Sequence, residues 1–188
     1  MLSGHDALPH RPRRVLVAGV SGAGKTTLAR RIAAVTGGLH TEIDAPYHGP
    51  GWVARPEFVA DVHAFMNAES WTTEWQYTEA RPLLAERADL LVWLDLPFVR
   101  VTLPRVVGRT IRRRIRRSQL WNGNIEPPFR TIFTDPEHIV RWAISTRRSY
   151  DQRVPPLEAR YPQLVVVRLR SQQEVGQWFA GPLRRATR

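Results

Sequence analysis

The sequence predicts an α/β fold: a parallel sheet with helices on both faces. Three observations predict it. Short apolar runs alternate with longer segments of helical spacing. The first run, Val15-Leu16-Val17-Ala18, leads into Gly19-Val20-Ser21-Gly22-Ala23-Gly24-Lys25-Thr26. That segment matches the phosphate-binding pattern G-x-x-x-x-G-K-[ST] and lies between a strand and a helix, the context the pattern needs. The 188 residues suffice for one such domain, and a hydrophobic content of 43% can fill its core.

The elements follow in order. Val15–Ala18 is a short continuous apolar run, as expected of a strand buried on both faces. Thr26–Val35 is a helix with Leu28, Ile32 and Ala33 inward, stopped by Gly37-Gly38. Leu39–Asp44 alternates as a second strand, and Ala45–Gly51 is a loop rich in Pro and Gly. Pro56–Asn67 carries Phe58, Val59, Val62 and Phe65 at helical spacing. Trp71–Glu74 is a third strand, Ala80–Arg87 a helix, and Asp89–Asp95 the clearest strand of all. Pro97–Leu120 reads as helix, broken near Pro104, with Val107, Ile111 and Ile115 recurring every four residues as one apolar stripe and arginines covering the rest. Trp121–Thr134 is a loop with an Asn122-Gly123 turn. Asp135-Pro136-Glu137 opens a helix running to about Tyr150, with proline suited to its first turn. Leu164–Val167 is a fifth strand and Gln172–Phe179 a last helix. Residues 1–13 read as a disordered basic arm, 14–180 as one domain, and 181–188 as a loose basic tail.

The composition narrows the chemistry. There is no cysteine, so disulfides and thiolate metal sites are excluded, in keeping with a reducing, cytoplasmic setting. The start of the chain lacks the apolar run of a signal peptide. Leu90–Leu94, the longest apolar run, is far too short to span a bilayer, so no membrane partner is expected. The net charge of +11 points to polyanionic partners: nucleotides, nucleic acid or acidic surfaces. Among 28 Lys and Arg residues, Lys25 is the single lysine. A compact ammonium reaches between phosphate oxygens, whereas a planar guanidinium has another shape.

The glycine-rich segment therefore reads as a nucleoside triphosphate site. Gly19, Gly22 and Gly24 let backbone N–H groups converge on an anion, with Ser21, Ala23 and Thr27 completing the loop. The following helix adds its positive end. Lys25 suits the β- and γ-phosphates of ATP, and the Thr26 hydroxyl suits Mg²⁺. A second carboxylate on the metal side is expected at a strand end, and Glu74 and Asp95 both qualify. On the acceptor side, Asp44 at the end of the second strand suits orienting a hydroxyl or taking its proton, or merely capping the turn at Pro46. Arg55 and Arg81 suit clamping an acceptor phosphate.

Four segments carry a resemblance: Gly19–Thr27; Leu39–Asp44 with His48; Trp71-Thr72-Thr73-Glu74-Trp75-Gln76-Tyr77; and Arg87–Pro97. On these, the chain resembles the adenylate kinase-like P-loop kinases, and among them the bacterial DNA topology modulation proteins. Relatives commonly read W-x-x-D-G-N-Y at the third segment, where this chain has Glu74, Trp75 and Gln76. The resemblance implies a P-loop NTPase three-layer α/β/α fold with strand order 2-3-1-4-5. That order sets Glu74 beside the first strand and favours it over Asp95. It also implies an acceptor-binding insert over 45–69 that includes His48, and a helical arginine-rich lid over 104–134. In such a lid, Arg109 and Arg113, one turn apart, would close on the transferring phosphate. The implied activity is ATP- and Mg²⁺-dependent phosphotransfer by a nucleotide or small-molecule kinase whose acceptor is unidentified. The alternatives are an ATP-binding protein associated with nucleic acid, whose arginine helix grips phosphate backbones, and a slow ATPase switch.

Overall fold

Continuous apolar runs mark the strands because both faces of the sheet are covered. The computed structural model describes residues 1–128, 130–135 and 138–188. Its sheet contains β1 (Arg14–Gly19), β2 (Leu39–Thr41), β3 (Trp71–Glu74), β4 (Leu90–Leu94) and β5 (Val165–Leu169), all parallel, in the order β2-β3-β1-β4-β5. The helices are α1 (Lys25–Thr36), α2 (Asp44–Tyr47), α3 (Phe58–Met66), α4 (Ala80–Arg87), α5 (Leu103–Ile115), α6 (Thr131–Thr134), α7 (Ile139–Ser145), α8 (Ser149–Arg153), α9 (Leu157–Arg160), α10 (Gln172–Trp178) and α11 (Arg184–Thr187). Among the described residues, no helix is long and apolar enough to cross a membrane.

Alternation along the strands builds two cores. Leu16, Ala18, Leu91 and Trp93 pack against α3 and α4. Val15, Val17, Val92 and Leu94 pack against α1 and α10, where Trp178 is fully buried. The register is what matters for function: Val17 of β1 lies opposite Glu74, and Gly19 lies opposite Leu94. The central strand thus delivers its loop between the carboxyl ends of β3 and β4.

Several expectations are corrected. β2 stops at Thr41, because the Ile43 N–H leaves the ladder and donates to Glu74 Oε2 at 3.0 Å. Asp44 then opens α2, which tolerates Pro46 within its first turn. Pro97–Leu120 is not one helix: a wide turn over Phe98–Thr102 precedes α5, which takes Pro104 in its first turn and ends at Ile115. The face of α5 is also shifted. Val106 is buried against Val140 and Ala143 and Thr110 is buried too, while Val107, Ile111 and Ile115 are exposed. The single helix expected to reach Tyr150 is divided into α7 and α8, with His138 capping α7 as its Nδ1 accepts from the Val140 N–H at 3.3 Å. Pro136 and Glu137 of the expected start lie outside the described residues.

The arm over 1–13 is not disordered. The Leu2 N–H donates to the Val166 carbonyl at 2.7 Å, and the Arg168 N–H donates to the Leu2 carbonyl at 2.9 Å, so the arm covers the free edge of β5. The tail is not loose either, since Leu183 is fully buried and α11 follows it. Two backbone hydrogen bonds at about 0.5–1.5 kcal/mol each give the arm a measurable weight. Deleting residues 1–9 is expected to lower stability by about 1–3 kcal/mol in urea unfolding. Unchanged stability would show that this pairing contributes nothing.

Candidate active site

The loop after β1 is shaped by glycine. Gly22 has φ +81°, and a Cβ there would lie 2.5 Å from the Thr102 carbonyl oxygen and 2.6 Å from a Val106 methyl. The absence of a side chain is what lets α5 dock on the loop. Gly24, at φ +96°, is the residue before α1, whose N-terminus has no side-chain cap and no acidic residue in its first turn. Its N–H groups are therefore available to an anion.

Lys25 is buried at the start of α1, with Nζ donating to the Val20 carbonyl at 3.3 Å. Burial pushes its pKa down to about 8; Asp44 and Glu74 oppose the shift and Arg109 adds to it. Glu74 is also buried and accepts from the Ile43 N–H. Its other oxygen, Oε1, has no hydrogen-bond partner among the described residues and lies 3.8 Å from His40 Nε2. Burial pushes the Glu74 carboxyl up, but contacts with His40, the Ile43 N–H and the Thr26 hydroxyl outweigh this and hold it below the usual range. Nearby Glu42 is pushed up by burial and then by Glu74 and Asp44. Crowded carboxylates, one with an orphaned buried oxygen, and an adjacent hydroxyl fit a hydrated divalent cation. Asp95, the other metal-side candidate, is occupied: its Oδ2 accepts from Arg168 Nε at 2.9 Å and Nη2 at 2.6 Å.

Asp44 lies across from these groups. Its Oδ1 accepts from the Tyr77 hydroxyl at 2.5 Å and from Gln76 Nε2 at 2.9 Å. Tyr77 Oη is also 3.2 Å from His48 Nε2. Burial pushes the His48 pKa down, with Asp44 opposing. His48 belongs to an aromatic group with Tyr47, Trp52 and Trp121.

The two arginines expected of a lid take different surroundings. Arg113 Nη1 donates to buried Glu126 at 3.4 Å, and its guanidinium lies 5.9 Å from the Trp121 ring centre. Arg109 has a buried Nε without a partner among the described residues. Burial pushes it down, as does Arg113, while Glu126, Asp44 and Glu42 pull the other way. The loop after α5 is fastened to the 45–54 segment: Asn124 Nδ2 donates to the Gly49 carbonyl at 2.8 Å, and the Trp52 N–H donates to Asn124 Oδ1 at 3.2 Å.

The two expected acceptor arginines share no partner among the described residues. Arg55 is bound to Asp61 at 2.9 Å, with Glu57 at 3.8 Å, and donates to the Pro46 carbonyl at 3.2 Å. Arg81 donates to Thr78 Oγ1 at 2.9 Å and lies 5.8 Å from the Trp75 ring centre. Burial lowers its pKa, and Arg153 lowers it further. Trp75 joins Arg81 to α8: its indole N–H donates to the Arg81 carbonyl at 3.0 Å, and Tyr150 Oη donates to the Trp75 carbonyl at 3.3 Å. From sequence, Tyr77, Gln76, His40 and Arg153 were given no role at the site. The only pointer to the first two was their place in the segment that ends β3.

No family model matches the chain, and no curated protein matches it in sequence. The finer resemblance to DNA topology modulation proteins therefore gains no support. Solved structures do match. One is a gluconokinase from Sinorhizobium meliloti 1021, with a TM-score of 0.51 and 20% identity, covering 94% of this chain and 95% of that one. Another is a sugar kinase from Janibacter sp. HTCC2649, with a TM-score of 0.45 and 22% identity, covering 89% and 90%. The first likeness shows a shared fold, an α/β fold around a parallel sheet ordered β2-β3-β1-β4-β5 with the glycine-rich loop after β1.

Triphosphate binding should report the buried lysine. Free Lys25 loses its proton near pH 8, and phosphate oxygens stabilise the charged form. Above that pH, binding must take up a proton, so affinity falls as pH rises, by up to about tenfold per unit. Calorimetry with a non-hydrolysable ATP analogue from pH 7 to pH 9 checks this; a flat profile would contradict it.

Proposed function

We propose that this chain is an ATP- and Mg²⁺-dependent phosphotransferase acting on a small hydroxylated acceptor. The observation that carries the reading is the buried Lys25 at the start of α1, acted on by the charges of Asp44 and of Glu74, which pairs with Val17 of β1. The loop N–H groups from Gly19 to Thr27 and the N-terminus of α1 cradle the phosphates. Lys25 reaches the β- and γ-phosphates. Thr26 and Glu74 would hold Mg²⁺, which would neutralise charge developing on the phosphates. Arg109, with no hydrogen-bond partner for its buried Nε among the described residues, faces the transferring phosphoryl group, while Arg113 is committed to Glu126 and supports it. Asp44 orients the acceptor hydroxyl and takes its proton.

The acceptor side also suggests a charge class. Burial and then the neighbouring Arg153 lower the Arg81 pKa, and neither arginine has a carboxylate within ion-pair distance among the described residues. Such a pair suits an anionic group on the acceptor, a carboxylate or phosphate. Arg55, tied to Asp61, is left a structural part in the loop that carries His48. Incubating the protein with Mg²⁺, ATP and a panel of neutral polyols, sugar acids and nucleoside monophosphates tests the reading. Phosphorylation of an anionic acceptor is expected; slow hydrolysis alone, whatever the acceptor, would favour the switch. Glu74→Gln is expected to lower turnover about 100-fold, with partial recovery at high Mg²⁺. Wild-type turnover in that variant would remove Glu74 from the metal.

A second reading rests on the outer face of α5 and the turn after it, where Arg105, Arg112, Arg116 and Arg117 are exposed. These suit a nucleic-acid backbone. Tight DNA binding that falls steeply with salt would favour it, and negligible binding at low salt would exclude it.

A further inference from the structure

We propose that Tyr77, assisted by Gln76, is the positioning residue of the acceptor site: it fixes Asp44 Oδ1 and leaves Oδ2 to face the acceptor hydroxyl. The proposal rests on the reading of Asp44 given above. Three independent constraints hold Tyr77 in place. Its backbone is left-handed, at φ +58°, a conformation that non-glycine residues adopt rarely. Its ring is stacked on Tyr47, with centres 3.6 Å apart, and meets the edge of Phe58 at 5.3 Å. Its carbonyl accepts the Arg81 N–H at 3.0 Å, tying it to the start of α4.

What these constraints deliver is one hydroxyl, placed 2.5 Å from a carboxylate oxygen. A ring needed only for packing would serve as well without it. The hydroxyl stays protonated, since burial and then Asp44 push the phenol pKa up. With its proton committed to Asp44, Tyr77 Oη is free to accept from His48 Nε2–H at 3.2 Å. A chain thus runs from His48 through Tyr77 to Asp44, and Gln76 Nε2 adds a second donor to the same oxygen at 2.9 Å. Two donors on Oδ1 remove the freedom of the carboxylate to turn. The remaining oxygen then has one direction, which is what proton transfer from a bound hydroxyl requires.

The test is a double-mutant cycle with Tyr77→Phe and Asp44→Asn, using the best acceptor of the panel, or water if hydrolysis is the only turnover. Tyr77→Phe keeps the stacked ring and is expected to lower kcat about tenfold or more, with the KM for ATP unchanged. In the Asp44→Asn background, the same change is expected to cost nothing further. Equal losses in both backgrounds, or an unchanged kcat in Tyr77→Phe, would overturn the proposal while leaving Asp44 in place. Wild-type turnover in Asp44→Asn would remove Asp44 and this proposal together, while Glu74→Gln still judges the ATP and Mg²⁺ reading separately. Gln76→Leu supplies the second variant: it removes the other donor to Oδ1, and an unchanged kcat there with a folded protein would count against the positioning scheme.

Discussion

A single ammonium held out of water organises this molecule. Lys25 opens α1 after the loop that leaves β1, and burial, the largest influence on it, brings its pKa down to about 8. A shift of that size corresponds to roughly 3 kcal/mol against the charged form. The surroundings answer it with negative groups: Glu74 from β3, Asp44 from α2 and the carbonyl of Val20. These carboxylates in turn crowd one another, as the raised Glu42 records. The cluster is thus a frustrated arrangement of charges, the kind that phosphates and a divalent cation would relieve.

The sheet makes this arrangement possible. Only a strand with neighbours on both sides can set its terminal loop between two other strand ends. The pairing of Val17 with Glu74 fixes one side, and the pairing of Gly19 with Leu94 fixes the other. The same geometry explains why Asp95 and Glu74 have separate fates. Asp95 ends β4 beside Arg168 of β5 and is neutralised there. Glu74 ends β3 beside the loop and keeps an oxygen unspent. The docking of Thr102 and Val106 on Gly22 then sets the direction of α5, so that Arg109 points inward to the same charges.

Much of this was readable in the residues. The buried strands are continuous apolar runs, and the loop motif lies in the required context, so the α/β architecture and the glycine-rich loop after β1 follow from pattern and backbone chemistry. The face of α5 was not readable, because Val106 with Thr110 and Val107 with Ile111 both repeat every four residues. Packing against Gly22 and α7 decided between them. The covering of β5 by Leu2 depends on backbone hydrogen bonds across the length of the chain, which composition does not report. Tyr77 stood in the third resemblance segment, but its link to Asp44 was not readable for a related reason: a left-handed turn brings its hydroxyl there, and no spacing in the sequence encodes that approach.

The central claim is that a narrow point charge, and not positive charge in general, is needed at the end of β1. The direct measurement is the affinity of Lys25→Arg for ATP with Mg²⁺ at neutral pH, alongside its melting temperature. This account predicts a folded protein whose affinity is at least about tenfold weaker, because the guanidinium keeps the charge but does not fit the space. A folded variant with wild-type affinity and turnover would contradict it.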